Sequence, residues 1–386
     1  MHLNPYSYAF HDDPFPMYRD LRDNAPCYYN DALDFWALSR YDDVLSALHD
    51  PQTYCSRFGI TLEQQNALPM LLTTDPPDHT DLRRMVSRAF TPRRVADLES
   101  AVRELAQRYL EPVLEKGEGD IVADYAAQLP LDVIARMLGV PSADEESLGR
   151  WTNALLERDE GVPDVTPAGV DAAINLFKYF SEFVAERRDA LADDDAPDDL
   201  TTALCTTGLT DEQVVGFCFL LIIAGNETTT KLLANCLLAL QRFPGERAKV
   251  VSEPRRIPDA VEEILRYEGS TQLMARTLTR PVELHGERMP EGAKVLVLLG
   301  SANRDERVWD RPDEFDIDRA SAVQHVGFGH GIHVCLGAAL ARLEMRVSLE
   351  EILRCMPEYE VDETACTRVH SGNVRGWATM PIRCHA

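Results

Sequence analysis

The sequence lacks paired cysteine motifs. Its nine cysteines (Cys27, Cys55, Cys205, Cys218, Cys236, Cys335, Cys355, Cys366 and Cys384) are odd in number, and none stands in a C-x-x-C pair. That argues against a disulfide framework and for a reducing compartment. Long apolar runs are lacking as well. The longest, Val214 to Ala224, is about half of the roughly 20 residues a spanning helix needs. The first residues, MHLNPYSYAFHDDPFPMYRDLR, mix acidic and aromatic side chains around no apolar segment, so neither a signal peptide nor a membrane anchor is expected there. Positive charge is scarce: 39 Lys and Arg against 64 Asp and Glu leave a formal charge of −25. Such a chain repels nucleic-acid phosphates. No internal repeat, low-complexity linker, or flavin or nicotinamide fingerprint is visible, and a soluble, cytoplasmic protein is expected.

What is present is core material: 386 residues, 45% of them apolar, enough for a deep interior. The pattern predicts a mainly α chain with a smaller β portion, in one domain over residues 1–386. Helical periodicity covers Tyr41–His49, Arg94–Lys116, Leu131–Leu138, Leu176–Leu191, Thr210–Gln241, Asp259–Tyr267 and Leu336–Leu353. Residues 26–40 read as a β-hairpin turning at Asn30-Asp31, and 278–299 as short strands separated by Gly286 and Gly292. The acidic stretch Asp193–Asp199 reads as a surface loop between two helices. Thr210 is a good N-cap, with Asp211 and Glu212 in the first turn. The helix it opens is apolar nearly all round and belongs in the interior.

The strongest chemical signal is Phe328-Gly329-His330-Gly331-Ile332-His333-Val334-Cys335-Leu336-Gly337, ahead of the amphipathic AALARLEMRVSLEEIL. Glycines permit a tight loop, and Gly337 lets backbone close on a flat partner. A cysteine at a helix start meets free N–H groups that favour thiolate. A thiolate in a dry, hydrogen-bonding loop suits a haem iron. Two other readings exist: zinc held by His325, His330, His333 and Cys335, or a structural cysteine in a glycine turn. Zinc leaves the glycines and Phe328 unexplained.

The loop resembles the cysteine-loop signature of the cytochrome P-450 family, F-x-x-G-x-x-x-C-x-G, at Phe328, Gly331, Cys335 and Gly337. Further motifs follow in family order between about residues 75 and 380. The resemblance implies the family's fold, a non-covalent haem b with Cys335 as its iron ligand, and monooxygenase activity on O2.

In the interior helix, Ala224 and Thr228 share a face beside Gly225, so a flat cofactor can approach the backbone. A threonine hydroxyl can also bond back to the carbonyl four residues earlier and open room for a small ligand. Glu227 is an isolated acid in an apolar stretch, costly unless paired or used. By resemblance Thr228 and Glu227 are the oxygen-activating alcohol and acid, with Glu227 supplying protons through water. The alternative is a helix end reaching solvent.

Glu263 and Arg266 stand three apart, ordinarily a surface pair worth about 0.2–0.5 kcal/mol. By resemblance they form the family's buried E-x-x-R pair, joined by Arg319, and hold the cysteine loop. The resemblance further makes His79, Arg83, Arg276 and His325 the ligands of the haem propionates. Two departures stand out. The family's R-Y-x-x-P lacks its proline at Arg266-Tyr267-Glu268-Gly269-Ser270, and Arg280 stands where an acid is common. The resemblance also implies that Leu71, Leu72, Leu220, Ala224, Gln272, Leu273, Met274 and Val374 line the pocket, and their mainly apolar character points to a small hydrophobic substrate. Steroid, terpenoid, fatty acid, polyketide and aromatic substrates all remain open. Arginines 84, 88, 93, 94, 342 and 346 suggest a basic patch for an acidic ferredoxin, itself fed by a ferredoxin reductase, or else a solvated face. Competing classes are a haem sensor or carrier without turnover and a metal-site hydrolase.

Overall fold

Thr210 opens the longest element of the protein through a reciprocal capping box with Gln213. In the computed structural model, which describes residues 2–63 and 70–384, that helix runs from Asp211 to Arg242. It is long and apolar enough to cross a membrane by composition, but 72% of its most apolar window is buried within the protein. Helices Gln128–Leu138, Pro167–Ala192, Ile257–Tyr267 and Ala338–Cys355 pack around it. This is the interior helix that the apolar pattern requires.

Most expected helices are found with shifted ends. Tyr41–His49 forms as read. The segment read as Arg94–Lys116 divides into Pro92–Asp97, capped by Thr91, and Glu99–Lys116. The helix read from Leu176 begins at Pro167, because Thr166 caps it by accepting from the Gly169 N–H at 3.1 Å. The Asp193–Asp199 segment does link two helices, yet its last residue is not surface. Asp199 is buried, caps helix Leu200–Cys205 and pairs with Arg187 at 3.0 Å. Helices Phe15–Asn24, Asp78–Ala89 and Glu145–Leu156 have no counterpart in the sequence reading.

The β portion is led by a five-stranded sheet in the order Cys27–Asn30, Phe35–Leu38, Lys294–Val297, Met274–Leu278, Tyr54–Cys55. The hairpin pairs Cys27 with Leu38, and Asn30 shapes its turn by accepting from the N–H groups of Ala32 and Leu33. Phe35–Leu38 runs parallel to Lys294–Val297. Alternation along the fourth strand decides what reaches the interior. Leu273 and Ala275 pack with Leu3, Tyr18 and Phe35, while Met274 and Arg276 face a chamber on the other side.

Candidate active site

The chamber lies between the long helix and the cysteine loop. Ala224, Gly225, Thr228 and Thr229 line one side; Gly327 to Gly329 and His333 to Gly337 line the other. Leu71, Leu72, Leu220, Leu221, Phe217 and Met274 extend it as an apolar space. The loop is held hard. The Cys335 N–H donates to the Phe328 carbonyl at 2.9 Å, and Arg342 stacks 4.7 Å over the Phe328 ring. Gly331 has φ +67°, and a Cβ there would stand 2.4 Å from the Leu48 carbonyl oxygen, so only glycine lets the loop dock on helix Tyr41–His49. Burial pushes the Cys335 thiol up, and the Gly337 N–H, Arg83 and Arg342 partly offset that.

On the long helix, the Thr228 hydroxyl donates back to the Ala224 carbonyl at 2.7 Å, the bond the spacing predicts. Gly225 lines the chamber, but its missing Cβ has a different cause from the one read from sequence. A side chain there would meet Ile134 at 2.8 Å. Glu227 is buried and does not line the chamber. Its Oε2 is 3.3 Å from the Lys231 ammonium, a partner the sequence reading did not name.

Four nitrogen-bearing side chains gather at the chamber edge; the acid near them, Asp75, is paired with Arg57 at 3.1 Å. Helix Asp78–Ala89 carries buried His79 and, one turn on, Arg83; the sheet carries Arg276; the loop carries His333. The His79 and His333 rings lie 4.4 Å apart. Among the described residues, neither His79 nitrogen has a hydrogen-bond partner, nor has Nε2 of His333. Among the described residues, neither Arg83 nor Arg276 makes an ion pair. Burial lowers both, Arg276 to about 10. Burial, with Arg276, His79 and Arg83 beside it, brings His333 down to about 3.

His325 is a correction. It is buried away from the chamber lining, with Nε2 3.3 Å from Glu262 and Nδ1 accepting from the Gly327 N–H. The 3-10 turn Gly331–His333 brings His333 to the position expected of it. Three pocket residues are corrections too. The Gln272 amide donates to the Gly269 carbonyl at 2.7 Å, away from the lining; Leu273 falls on the opposite strand face; Val374 bridges Thr271 through backbone. Ser270 and Thr271 line the chamber instead.

Glu263 and Arg266 are fully buried and joined at 2.7 Å, with Arg319 3.1 Å from the same carboxylate. Arg266 also donates to the carbonyls of Asn303, Pro312 and Glu314, so the cluster ties together the segment leading into the cysteine loop. Where the family's proline is missing, Glu268 is buried and held by Arg375 and Arg368. Arg280 sits near Asp50 at 3.6 Å. Most of the arginine cluster is paired: Arg84 with Asp81, Arg93 with Asp97, Arg94 with Asp198, Arg342 with Glu262 and Arg346 with Glu99. Exposed Arg88 makes no ion pair among the described residues.

This geometry agrees with what comparison finds. The Cytochrome P450 family profile matches residues 168–363. The chain is 43% identical over 390 residues to cytochrome P450 123 of Mycobacterium tuberculosis, covering all of this chain and 97% of that one. The structure of CYP109E1 from Bacillus megaterium in complex with testosterone superposes with TM-score 0.90 at 30% identity, covering 98% of this chain and 100% of that one. CYP109Q5 from Chondromyces apiculatus gives 0.89 at 32%, covering 100% and 98%. The chain belongs to the cytochrome P450 family: it has the mainly α fold of that family and is a haem-thiolate monooxygenase, an oxidoreductase.

Such an enzyme binds protoporphyrin IX haem through a cysteine thiolate. The chamber fits that group. Its walls are apolar, with Gly337 baring backbone beside Cys335, and its edge offers two arginines without ion pairs among the described residues and two underbonded histidines where the macrocycle has carboxylates.

Proposed function

We propose that Cys335 is the thiolate ligand and that the protein hydroxylates a small, neutral, hydrophobic substrate. Bound in the chamber, haem supplies the oxygen chemistry: one oxygen atom enters a C–H bond, and the other leaves as water with two electrons and two protons. Arg83, Arg276, His79 and His333 hold the carboxylates. Phe328, Gly337, Ala224 and Gly225 meet the flat faces. Thr228, with its hydroxyl turned to the Ala224 carbonyl, keeps a small polar space beside the long helix. Glu263, Arg266 and Arg319 hold the loop. Leu71, Leu72, Leu220 and Met274 contact substrate, with the Ser270 and Thr271 hydroxyls as polar anchors.

The observation that carries the substrate class is charge. Among the described residues, the arginines on the lining are Arg83 and Arg276, both committed to the haem edge. An anionic substrate would therefore bury its charge against leucines. The related CYP109E1 structure holds testosterone, a molecule of the favoured kind. Electrons come from a ferredoxin fed by its reductase, since the sequence carries no flavin or nicotinamide fingerprint. The protein acts in the cytoplasm as one domain over residues 1–386. A screen of neutral and carboxylate ligands for the low-to-high-spin shift, followed by product analysis with a surrogate ferredoxin system, tests this. Neutral lipophiles should shift the spectrum and be hydroxylated. Selective response to carboxylates, or no turnover of any shifting ligand, would contradict it.

A further inference from the structure

Helix Pro167–Ala192 is apolar on two faces. Ala172, Leu176, Phe180 and Phe183 are buried and seat it on the protein. Val170, Ile174 and Phe177 point the other way and are 47%, 60% and 39% exposed. Spaced four and three residues apart, they form one stripe about 60° wide. The outer face of a surface helix ordinarily carries charge. Among the described residues, four of the nine exposed large apolar side chains fall between Val162 and Phe177, so this is a patch and not a scatter of single residues. None of the four lines the chamber, which separates the patch from substrate binding.

The charges beside the stripe say what covers it. Asp171 and Lys178 are both exposed. Seven residues apart, they lie on the same edge of the stripe within about 20°. Asp171 makes no ion pair among the described residues, and Lys178 reaches only Glu182, at 4.0 Å. The midpoint between the two charges falls beside Ile174. When two such helices run antiparallel about a two-fold axis at that point, Asp171 of each copy faces Lys178 of the other. In the same register Phe177 of each copy comes level with the gap between Val170 and Ile174 of the other, a ridge meeting a groove. The Ser181 hydroxyl on this face donates to its own helix, at the Phe177 carbonyl 2.8 Å away, so covering it strands no polar group.

We infer that this stripe is the contact surface of a homodimer, with a second copy of the chain as its occupant. A two-fold contact must be complementary to itself. The Asp171–Lys178 spacing meets that condition with two equivalent ion pairs flanking an apolar centre. The formal charge of −25 sets the chain against the anionic headgroups of a membrane. The same charge makes two copies repel at long range, so salt that screens it assists the contact. One helix pair is a small interface, and a dissociation constant on the order of 1–100 μM is expected.

The test is sedimentation velocity on holoenzyme at about 0.15 M salt, over concentrations that span that range. Wild type should pass from monomer to dimer. Ile174→Glu should raise the dissociation constant about 30-fold or more, since it sets a charge at the apolar centre. Asp171→Lys and Lys178→Glu should each raise it about ten-fold or more, because each sets like charges across the axis. Mixed in equal amounts, those two variants should dimerise again, every facing pair being then opposite in sign. Asp171→Lys also lowers the net negative charge, so general repulsion alone would tighten its dimer, whereas the facing pairs require a weaker one. Circular dichroism and the reduced carbon monoxide spectrum show that each variant is folded and haem-loaded. Wild type that stays monomeric, including one that binds phosphatidylcholine vesicles instead, would overturn the inference. So would a dimer that survives Ile174→Glu, single charge variants that dimerise like wild type, or charge variants that fail to pair when mixed.

Discussion

Replacing Arg266 by leucine should cost far more than an ordinary helical ion pair. The guanidinium makes five hydrogen bonds: two to Glu263 and one each to the carbonyls of Asn303, Pro312 and Glu314. Both charged side chains are 0% exposed. Removing one partner of such a pair costs about 3–5 kcal/mol, because the remaining charge stays buried. Arg319 and the Asp316 N–H still reach Glu263, which keeps the figure near about 4 kcal/mol. An unfolding entropy of about 2.1 cal/mol/K per residue gives roughly 0.8 kcal/mol/K for 386 residues. The melting temperature should therefore drop by about 5 °C. Arg266→Lys should recover less than half of that, since a point charge cannot satisfy three carbonyls and a bidentate carboxylate together. Calorimetry of haem-loaded protein reads the shift, and the rate of haem loss reports the slackened loop. A leucine variant that melts within about 1 °C of wild type would refute the reasoning.

His333→Ala should speed haem transfer to apomyoglobin by roughly ten-fold, the loss of one charge-assisted hydrogen bond, whereas His325→Ala should lower thermal stability with little change in haem transfer; the reverse order would restore His325 as the propionate ligand. Burial raises the Glu262 carboxyl, but Arg342 and His325 outweigh it and bring the group down to about 2. A depressed carboxyl contributes stability above its ordinary value of 4.5 and loses it as pH falls toward 2. The gap in urea midpoint between wild type and Arg342→Ala should thus hold from about pH 7 to 5, narrow below about pH 4.5 and close only as pH nears 2. A gap independent of pH would count against this pair.

The cysteine loop was legible because its constraints are local. A cysteine, an aromatic residue and glycines at fixed spacing leave few alternatives, and the capped apolar helix is equally self-contained. The E-x-x-R pair was legible only through resemblance, since spacing alone favours a surface pair. What escaped depends on facing. Glu344 sits in a helix whose charged residues read as a solvated side, and only packing against the long helix buries it. Residues 272–274 were read together as pocket, but strand parity sends Met274 inward and Leu273 to the opposite face. His333 displaced His325 because a turn of 3-10 helix, absent from any periodicity, rotates it to the chamber edge. Of the arginines read as a docking patch, Arg342 and Arg346 are held by acids from distant segments, Glu262 and Glu99, while Arg84 and Arg93 pair within their own helices.

The central claim, thiolate ligation by Cys335, is tested most directly by the spectrum of the dithionite-reduced protein under carbon monoxide. Wild-type protein should show the strongly red-shifted Soret band of a thiolate-bound haem, and Cys335→Ala should abolish it while the helical fold remains by circular dichroism. An unshifted band in folded wild type, or a shifted band that survives Cys335→Ala, would contradict the account.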